Sequence, residues 1–262
     1  KLSQPAVTQQ IHALEREYGC RLFTYDGSRL SRTPEAEKLA EYARVAMYND
    51  QRMRQELSAP KILSIRIGAT KTIGEFIIGE DLCQFLKRPD RTLEVVVENT
   101  QQLLHRLDQE ELDFALVEGS FDKSRYAYRC FEAAPFVGMC HRTHPFAGRQ
   151  VQCEELTDQS VILREIGSGT RAIFEKSFQE CGFALNQIGR VICVNNFALI
   201  VRMVSENLGV SFAYSAVADG HPDITTFKLD GLSEQREFNF VYLKQTHADR
   251  LIDEIFPPVS CG

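Results

Sequence analysis

The sequence predicts an α/β protein: two successive strand–helix series, each forming an open sheet, behind a segment of helix, hairpin and one long helix. Three observations carry this. From residue 62 onward, apolar runs of strand length alternate with stretches of helical periodicity, and the alternation begins again near residue 160. Asp26-Gly27 separates two short strand-like runs, the composition of a tight turn. After Thr33-Pro34 no Gly or Pro interrupts the chain until Pro60, enough for roughly 38 Å of helix at 1.5 Å per residue.

The first element is a helix beginning at Ser3, which stands at the capping position, with Pro5 in the first turn, where amides have no intrahelical partner. Val7, Ile11, Leu14 and Tyr18 recur at helical spacing and are expected to form its buried stripe. The opposite face carries Gln4, Thr8, Gln9 and His12, short polar groups able to reach base edges and phosphates. A hairpin over 21–32 follows. Its Arg29 and Arg32 stand where such an element meets phosphate or the minor groove, although Arg32 reads nearly as well as a solvated charge. Thr33 then caps the long helix, with Pro34, Glu35 and Glu37 in a first turn whose dipole favours acids. Leu39, Ala43, Ala46, Met53 and Leu57 follow 3–4 spacing along it, interrupted by Asp50, a seam suited to helix pairing between two subunits.

Beyond Pro60 the expected order is a strand at 62–69, a helix over about 74–87, a strand at 93–98, a helix at 101–110 and a strand at 114–117. The second series runs as a strand at 161–163, a helix at about 170–180, a strand at 191–194, a helix at about 196–207 and a strand at 210–213. A strand at 238–243 and a helix at 249–256 fit most simply against the first series, so that the chain crosses between lobes near 140–143 and 236–240. The domains expected are therefore 1–33, 34–59 and 60–262, the last with one lobe at about 60–141 and 241–262 and another at about 142–240.

The formal net charge of the 262 residues is −6, yet residues 1–60 hold nine Lys/Arg against eight Asp/Glu, so the acidity belongs to the remainder. Such a remainder discourages nonspecific adhesion to nucleic acid, and a weakly charged DNA-contacting end calls for two copies on one DNA. The eight cysteines, at 20, 83, 130, 140, 153, 181, 193 and 261, show no Cys-x-x-Cys and no zinc-finger spacing, and read as scattered buried thiols of a reducing cytoplasm. With no leader and no eighteen-residue apolar run, the expectation is a cytoplasmic protein without membrane contact.

Ser3-Gln4-Pro5-Ala6, then Leu14-Glu15 to Gly19 with Leu22-Phe23, resemble the recognition helix of the LysR-type transcriptional regulators. Ile65-Arg66-Ile67-Gly68-Ala69, Leu112-Asp113-Phe114-Ala115-Leu116-Val117, Arg164-Glu165 with Gly167-Ser168-Gly169-Thr170-Arg171, and Asn207-Leu208-Gly209-Val210 resemble the same family's effector domain. The likeness spans almost the whole chain, departing from the family where a Pro is usual near Tyr214. It implies a winged helix-turn-helix whose bracing helix precedes Lys1, a dimerising linker helix, and a two-lobe effector domain of periplasmic-binding-protein-like fold. It also implies the partners: double-stranded promoter or operator DNA, a small-molecule effector and further copies of the chain, as homodimer or homotetramer.

In open α/β sheets ligands gather at the carboxyl ends of strands, where helix N-termini present free amides. The candidates there are Thr70, Lys71 and Thr72, then Asn99 and Thr100, and in the second lobe Ser168, Gly169 and Thr170. By the resemblance, the threonines 70, 72 and 100 match effector-holding positions, and Ser168 and Thr170 match the facing loop. Such a set suits a small anion, carboxylate or amino acid, while each hydroxyl alone could equally be a helix cap. Arg164 beside Glu165 reads as a structural pair. No nucleophile elbow, phosphate loop, metal motif or dinucleotide fingerprint occurs, so no catalytic residue, metal or cofactor is expected. Two other functions share the scaffold: a small-solute-binding protein of a transport system, and an enzyme, for which the cleft lacks a convergent acid, base or nucleophile.

Overall fold

The computed structural model describes residues 3–27, 29–57, 62–118, 121–232 and 235–257, and the chain divides into two compact units, Lys1–Lys61 and Ile62–Gly262. In the first unit, α1 (Gln4–Tyr18) starts at Ser3, whose backbone is extended as a cap requires but whose side chain makes no capping bond, contrary to expectation. It ends at Gly19, whose φ of 63° is the left-handed conformation that glycine adopts without a Cβ penalty. Strands β1 (Phe23–Asp26) and β2 (Arg29–Arg32) form the hairpin, with Phe23 opposite Arg32 and Asp26 opposite Arg29. Glu15 Oε1 accepts from the Leu22 amide at 2.8 Å, tying the hairpin to the end of the helix. The stripe expected to be buried is open: Val7, Leu14 and Tyr18 are exposed and Ile11 is half-buried. The reason is geometric, since the hairpin meets α1 only at its C-terminal turn and nothing described in this unit covers the rest.

Thr33 does cap α2 (Pro34–Leu57), accepting from the Ala36 amide at 3.1 Å while its hydroxyl donates to the Arg21 carbonyl at 2.8 Å. One side chain thus fixes both the helix start and the turn after α1. On α2 the buried positions include Val45 and Tyr48, whereas Ala43, Ala46, Met53 and Leu57 are exposed and Leu39 is half-buried. At 100° per residue that apolar row lies on roughly the opposite side from Val45 and Tyr48.

In the second unit, β3 (Leu63–Ala69), α3 (Lys71–Phe76), α4 (Gly79–Leu86), β4 (Arg91–Val97), α5 (Thr100–Asp108) and β5 (Phe114–Glu118) form the first series. One helix expected over 74–87 is two. Strand β6 (Ala127–His141) and the short β7 (Gln150–Val151) precede the second series: β8 (Ser160–Leu163), α6 (Gly169–Glu180), β9 (Arg190–Cys193), α7 (Phe197–Ser205) and β10 (Val210–Tyr214). Then come β11 (Ile224–Leu229), β12 (Gln235–Tyr242) and α8 (Ala248–Ile255). Within each series the strands pair in parallel, β4-β3-β5 and β10-β8-β9, which places their carboxyl ends, and the turns after them, on one side.

The two sheets are joined by β6 and β12. Residues Ala127–Pro135 of β6 pair with β12, and from Phe136 onward the same strand pairs with β10 and β11. The crossing therefore comes at Pro135–Phe136, ahead of the expected 140–143, because β6 is one continuous strand shared by both lobes. The whole of β12 pairs with β5 and β6, so the return crossing precedes Gln235 rather than lying within 236–240. Buried Ile65, Ile67, Phe114, Leu116, Phe240 and Ile252 fill the first lobe; in the second, Phe174 stacks on Phe212 at 4.2 Å. Gly138 is required there, since a Cβ at that position would run into the Phe227 ring.

Arg66 and Asp113, from two of the family-like motifs, have a structural account. Asp113 is fully buried, accepting from Arg66 Nη2 at 2.9 Å and from the Arg66 amide at 2.7 Å, which locks β3 to the segment entering β5. Of the cysteines described, only Cys140 and Cys153 are buried; Cys83, Cys130 and Cys193 are exposed, Cys20 and Cys181 are intermediate, and Cys261 lies outside the described residues.

Candidate effector-binding cleft

A cleft of about 1000 Å³ opens where the turns of the two lobes meet. Thr70 and Lys71 follow β3, Asn99 and Thr100 follow β4, and Glu118 ends β5. Across from them Arg164, Glu165 and Ser168 lie between β8 and α6, Gly169 begins α6, Tyr214 ends β10, and Arg236 and Asn239 come from β12. Of the residues expected from sequence, Thr70, Lys71, Asn99, Thr100, Ser168 and Gly169 line the cleft, while Thr72 and Thr170 are buried but do not line it.

Most of the expected groups are already engaged with the protein. Asn99 and Gln102 form a reciprocal cap on α5, so Asn99 behaves as a helix cap. Thr100 Oγ1 donates to the Glu118 carbonyl at 3.3 Å, and Thr72 Oγ1 to Glu118 Oε1 at 3.4 Å. Ser168 and Thr170 share a hydrogen bond of 2.9 Å. Lys71 Nζ donates to the Asn195 carbonyl at 3.0 Å and stands 3.7 Å from Glu165, bridging the lobes. Arg164 is held by Glu165 at 2.7 and 2.9 Å and lies over the Phe197 ring at 4.3 Å, the structural pairing expected of it.

What remains unpaired is more informative. Thr70 Oγ1, Glu118 Oε2, Tyr214 Oη, Arg236 Nε and Asn239 Oδ1 are buried polar atoms without a hydrogen-bond partner, and all five residues line this cleft. Thr70 sits at the cap of α3 yet makes no capping bond, leaving its hydroxyl free. Burial pushes the Glu118 carboxyl up to about 7, with the Thr72 hydroxyl and the Arg164 charge pulling it down only in part. Burial likewise raises the Tyr214 phenol, and the nearby Glu118 charge adds to it. Unsatisfied buried polar groups are uncommon in folded proteins, and five of them converge on this one opening.

Sequence reasoning missed Glu118, Tyr214, Arg236 and Asn239. A signal existed for two: Glu118 is an acid directly after four apolar strand residues, and Tyr214 occupies the place where the family pattern departs. Nothing local singles out Arg236 or Asn239, which reach the cleft only because β12 lies between β5 and β6.

On the first unit, Ser3, Gln4, Pro5, Thr8, Gln9 and His12 are all exposed. Thr8 Oγ1 donates to the Gln4 carbonyl at 3.0 Å, and His12 contacts Glu15 at 3.1 Å. Arg29 and Arg32 are exposed too, but strand alternation puts them on opposite faces of the hairpin, so both cannot meet one DNA surface in the same way.

Two family profiles match this chain. One, described as "LysR substrate binding domain", covers residues 62–256, and the other, "Bacterial regulatory helix-turn-helix protein, lysR family", covers residues 1–37. The chain is a LysR-family transcriptional regulator. As a LysR regulator it couples a DNA-binding helix-turn-helix to an effector-binding domain and is not an enzyme; the helix-turn-helix match also sets aside the transport reading. It is 23% identical to the HTH-type transcriptional regulator CysL of Bacillus subtilis, over 92% of this chain and 82% of that one. The CcmR regulatory domain of Synechocystis PCC6803, solved in complex with 2-PG, superposes with a TM-score of 0.65 at 22% identity, covering 74% of this chain and 95% of that domain. A full-length OxyR variant from Pseudomonas aeruginosa gives a TM-score of 0.65 at 22% identity, over 97% of this chain and 89% of that one. Among the described residues no helix is long and apolar enough to cross a membrane.

Proposed function

We propose that this LysR regulator acts in the cytoplasm, binds operator DNA through the polar face of α1 and its hairpin, and is controlled by a small anion, carboxylate or amino acid held in the cleft. The observation that carries the effector reading is the set of unpaired buried atoms on Thr70, Glu118, Tyr214, Arg236 and Asn239, with the amide end of α6 at Gly169 beside them and the already paired Thr100 and Ser168 forming the adjoining wall. The exposed positions of Gln4, Thr8, Gln9 and His12 support the DNA-facing assignment, and Arg29 is the better placed of the two hairpin arginines to be a phosphate contact by the sequence argument. The row of exposed Ala43, Ala46, Met53 and Leu57, with half-buried Leu39 at its start, supports self-association through α2. The domain limits proposed are a DNA-binding end to about residue 33, the linker helix to about 59, and the effector domain beyond.

The test combines a thermal-shift screen with DNA binding. Ligand bound only to the folded state raises the melting temperature, and 2-PG belongs in the screen because the similar CcmR domain was solved with it. A compound that raises the melting temperature is then added to gel-shift titrations, where altered affinity or altered complex mobility is expected. A bound compound that leaves both unchanged contradicts the regulatory role.

A further inference from the structure

The unpaired atoms of the cleft differ in what they ask of a ligand. Arg236 Nε only donates. In its ionised form, reached above about pH 7, Glu118 Oε2 only accepts, as Asn239 Oδ1 does, and the Thr70 and Tyr214 hydroxyls do either. While Glu118 is ionised, an anion with no hydrogen of its own satisfies Arg236 and the hydroxyls but leaves two buried acceptors without donors. It also faces a buried carboxyl at close range. Glu118 is the more demanding of the two acceptors. It is 6% exposed, its Oε1 receives only the Thr72 hydroxyl among side chains, and Oε2 receives nothing. Its position is central: it ends β5 in the first lobe, yet a Cβ built on Gly169, at the start of α6 in the second lobe, would stand 3.7 Å from Oε1. Whatever fills the cleft between the lobes meets this carboxyl.

Resting on the reading of the cleft as the effector site, we propose that the effector carries a hydroxyl or ammonium group beside its anionic group, and that Glu118, seconded by Asn239, reads that donor. The anionic end is left to Arg236 and to the free amides at the start of α6, a helix of twelve residues. The ligand class is thus a small hydroxy acid or amino acid, and simple oxyanions and unsubstituted carboxylates are discriminated against. Burial raises the Glu118 carboxyl to about 7, and an ammonium or hydroxyl donor placed beside it would favour its ionised form.

Matched probes test it on the whole protein: propionate, lactate and alanine; succinate, malate and aspartate; and sulfate. Calorimetry on the wild type should find the hydroxy or amino member of a series binding about tenfold or more tightly than its parent acid, as a hydrogen bond to a charged partner implies. In Glu118→Gln that ratio should shrink toward unity for the amino acids, with sulfate and the parent acids binding better than in the wild type. The wild-type ranking stands by itself if the variant folds poorly. Parent acids or sulfate binding as tightly as the donor-bearing members overturns the proposal while leaving the cleft as the site, provided Arg236→Ala weakens them all. Binding that neither Arg236→Ala nor Glu118→Gln alters overturns the cleft reading itself.

Discussion

The two lobes bring different chemistry to the cleft they share. On the second lobe the polar groups of the lining are largely paired: Arg164 with Glu165, and Ser168 with Thr170 just behind it, while outside the lining Arg171 pairs with Glu175 at 2.6 Å. On the first lobe and the connecting strand β12, Thr70, Glu118, Arg236 and Asn239 each keep a buried polar atom without a partner, and Tyr214 is the second lobe's contribution to that set. On the proposed reading, the difference separates groups that hold the wall of the effector site from groups that receive its occupant. A paired group contributes to folding, and its loss is read as instability. An unpaired buried group costs folding free energy, and its removal is read in binding.

The first way to break the comparison is to ask whether the first lobe simply tolerates unpaired polar groups. Its Arg66–Asp113 pair lies in the fold rather than in the cleft lining, and Asp113→Ala leaves a largely buried arginine without its anion. A loss of about 3–5 kcal/mol in urea denaturation is expected. A loss much smaller than that would mean the lobe is permissive everywhere, and the orphaned atoms of the cleft would lose their significance.

The second concerns pH. The folded-state pKa of Glu118 is raised from 4.5 to about 7, so between those values the folded protein holds a proton that the unfolded chain has released. Its contribution to stability is therefore fully present below about pH 4.5, falls as pH rises toward 7, and is flat above. The groups facing it are the Thr72 hydroxyl, the Arg164 charge, the Tyr214 phenol and the start of α6 at Gly169. At about 1.4 kcal/mol per pKa unit the decline amounts to roughly 3 kcal/mol. The difference between wild type and Glu118→Gln, measured in urea at pH 5 and pH 8, should show that decline, the variant being the more stable at pH 8. Parallel pH profiles would remove Glu118 from the set of uncompensated groups.

A third substitution works on the second lobe. Glu165→Ala strips Arg164, which is 5% exposed, of its bidentate partner, and a loss of roughly 2 kcal/mol is expected, less than at Asp113 because Glu165 is partly solvated. Chemical denaturation reads it. An unchanged midpoint would make this wall less dependent on its ion pair than the comparison requires.

How much of this was legible in the sequence follows the same division. Strands and helices with period-2 or 3.6 apolar patterns were placed within a few residues, and Thr33 was readable as a cap because both its neighbours and its spacing are local. Ser3 has the same local signature but makes no capping bond, and the stripe Val7, Leu14 and Tyr18 is open because burial depends on what lies opposite rather than on the helix itself. The 15-residue β6 was not foreseen: its apolar content is broken by Glu132, Pro135 and Gly138, so no single period runs through it. In the cleft, hydroxyls near helix starts were found because that position is a local property. Arg236 and Asn239 were not, since a strand returning from the far end of the chain inserts them between β5 and β6.

The central claim, that unpaired groups bind and paired groups hold, is tested most directly by one calorimetric series on wild type, Thr70→Val and Ser168→Ala. Unfolding and the binding of the compound that most raises the wild-type melting temperature are measured on the same preparations. Thr70→Val should leave stability unchanged or raise it by up to about 1 kcal/mol while weakening binding, because the lost hydroxyl had no partner in the free protein. Ser168→Ala should lower stability by about 1 kcal/mol, since Thr170 loses its partner, with affinity close to wild type. The reverse assignment, a destabilised Thr70→Val that binds normally beside a stable Ser168→Ala that does not, would contradict the account.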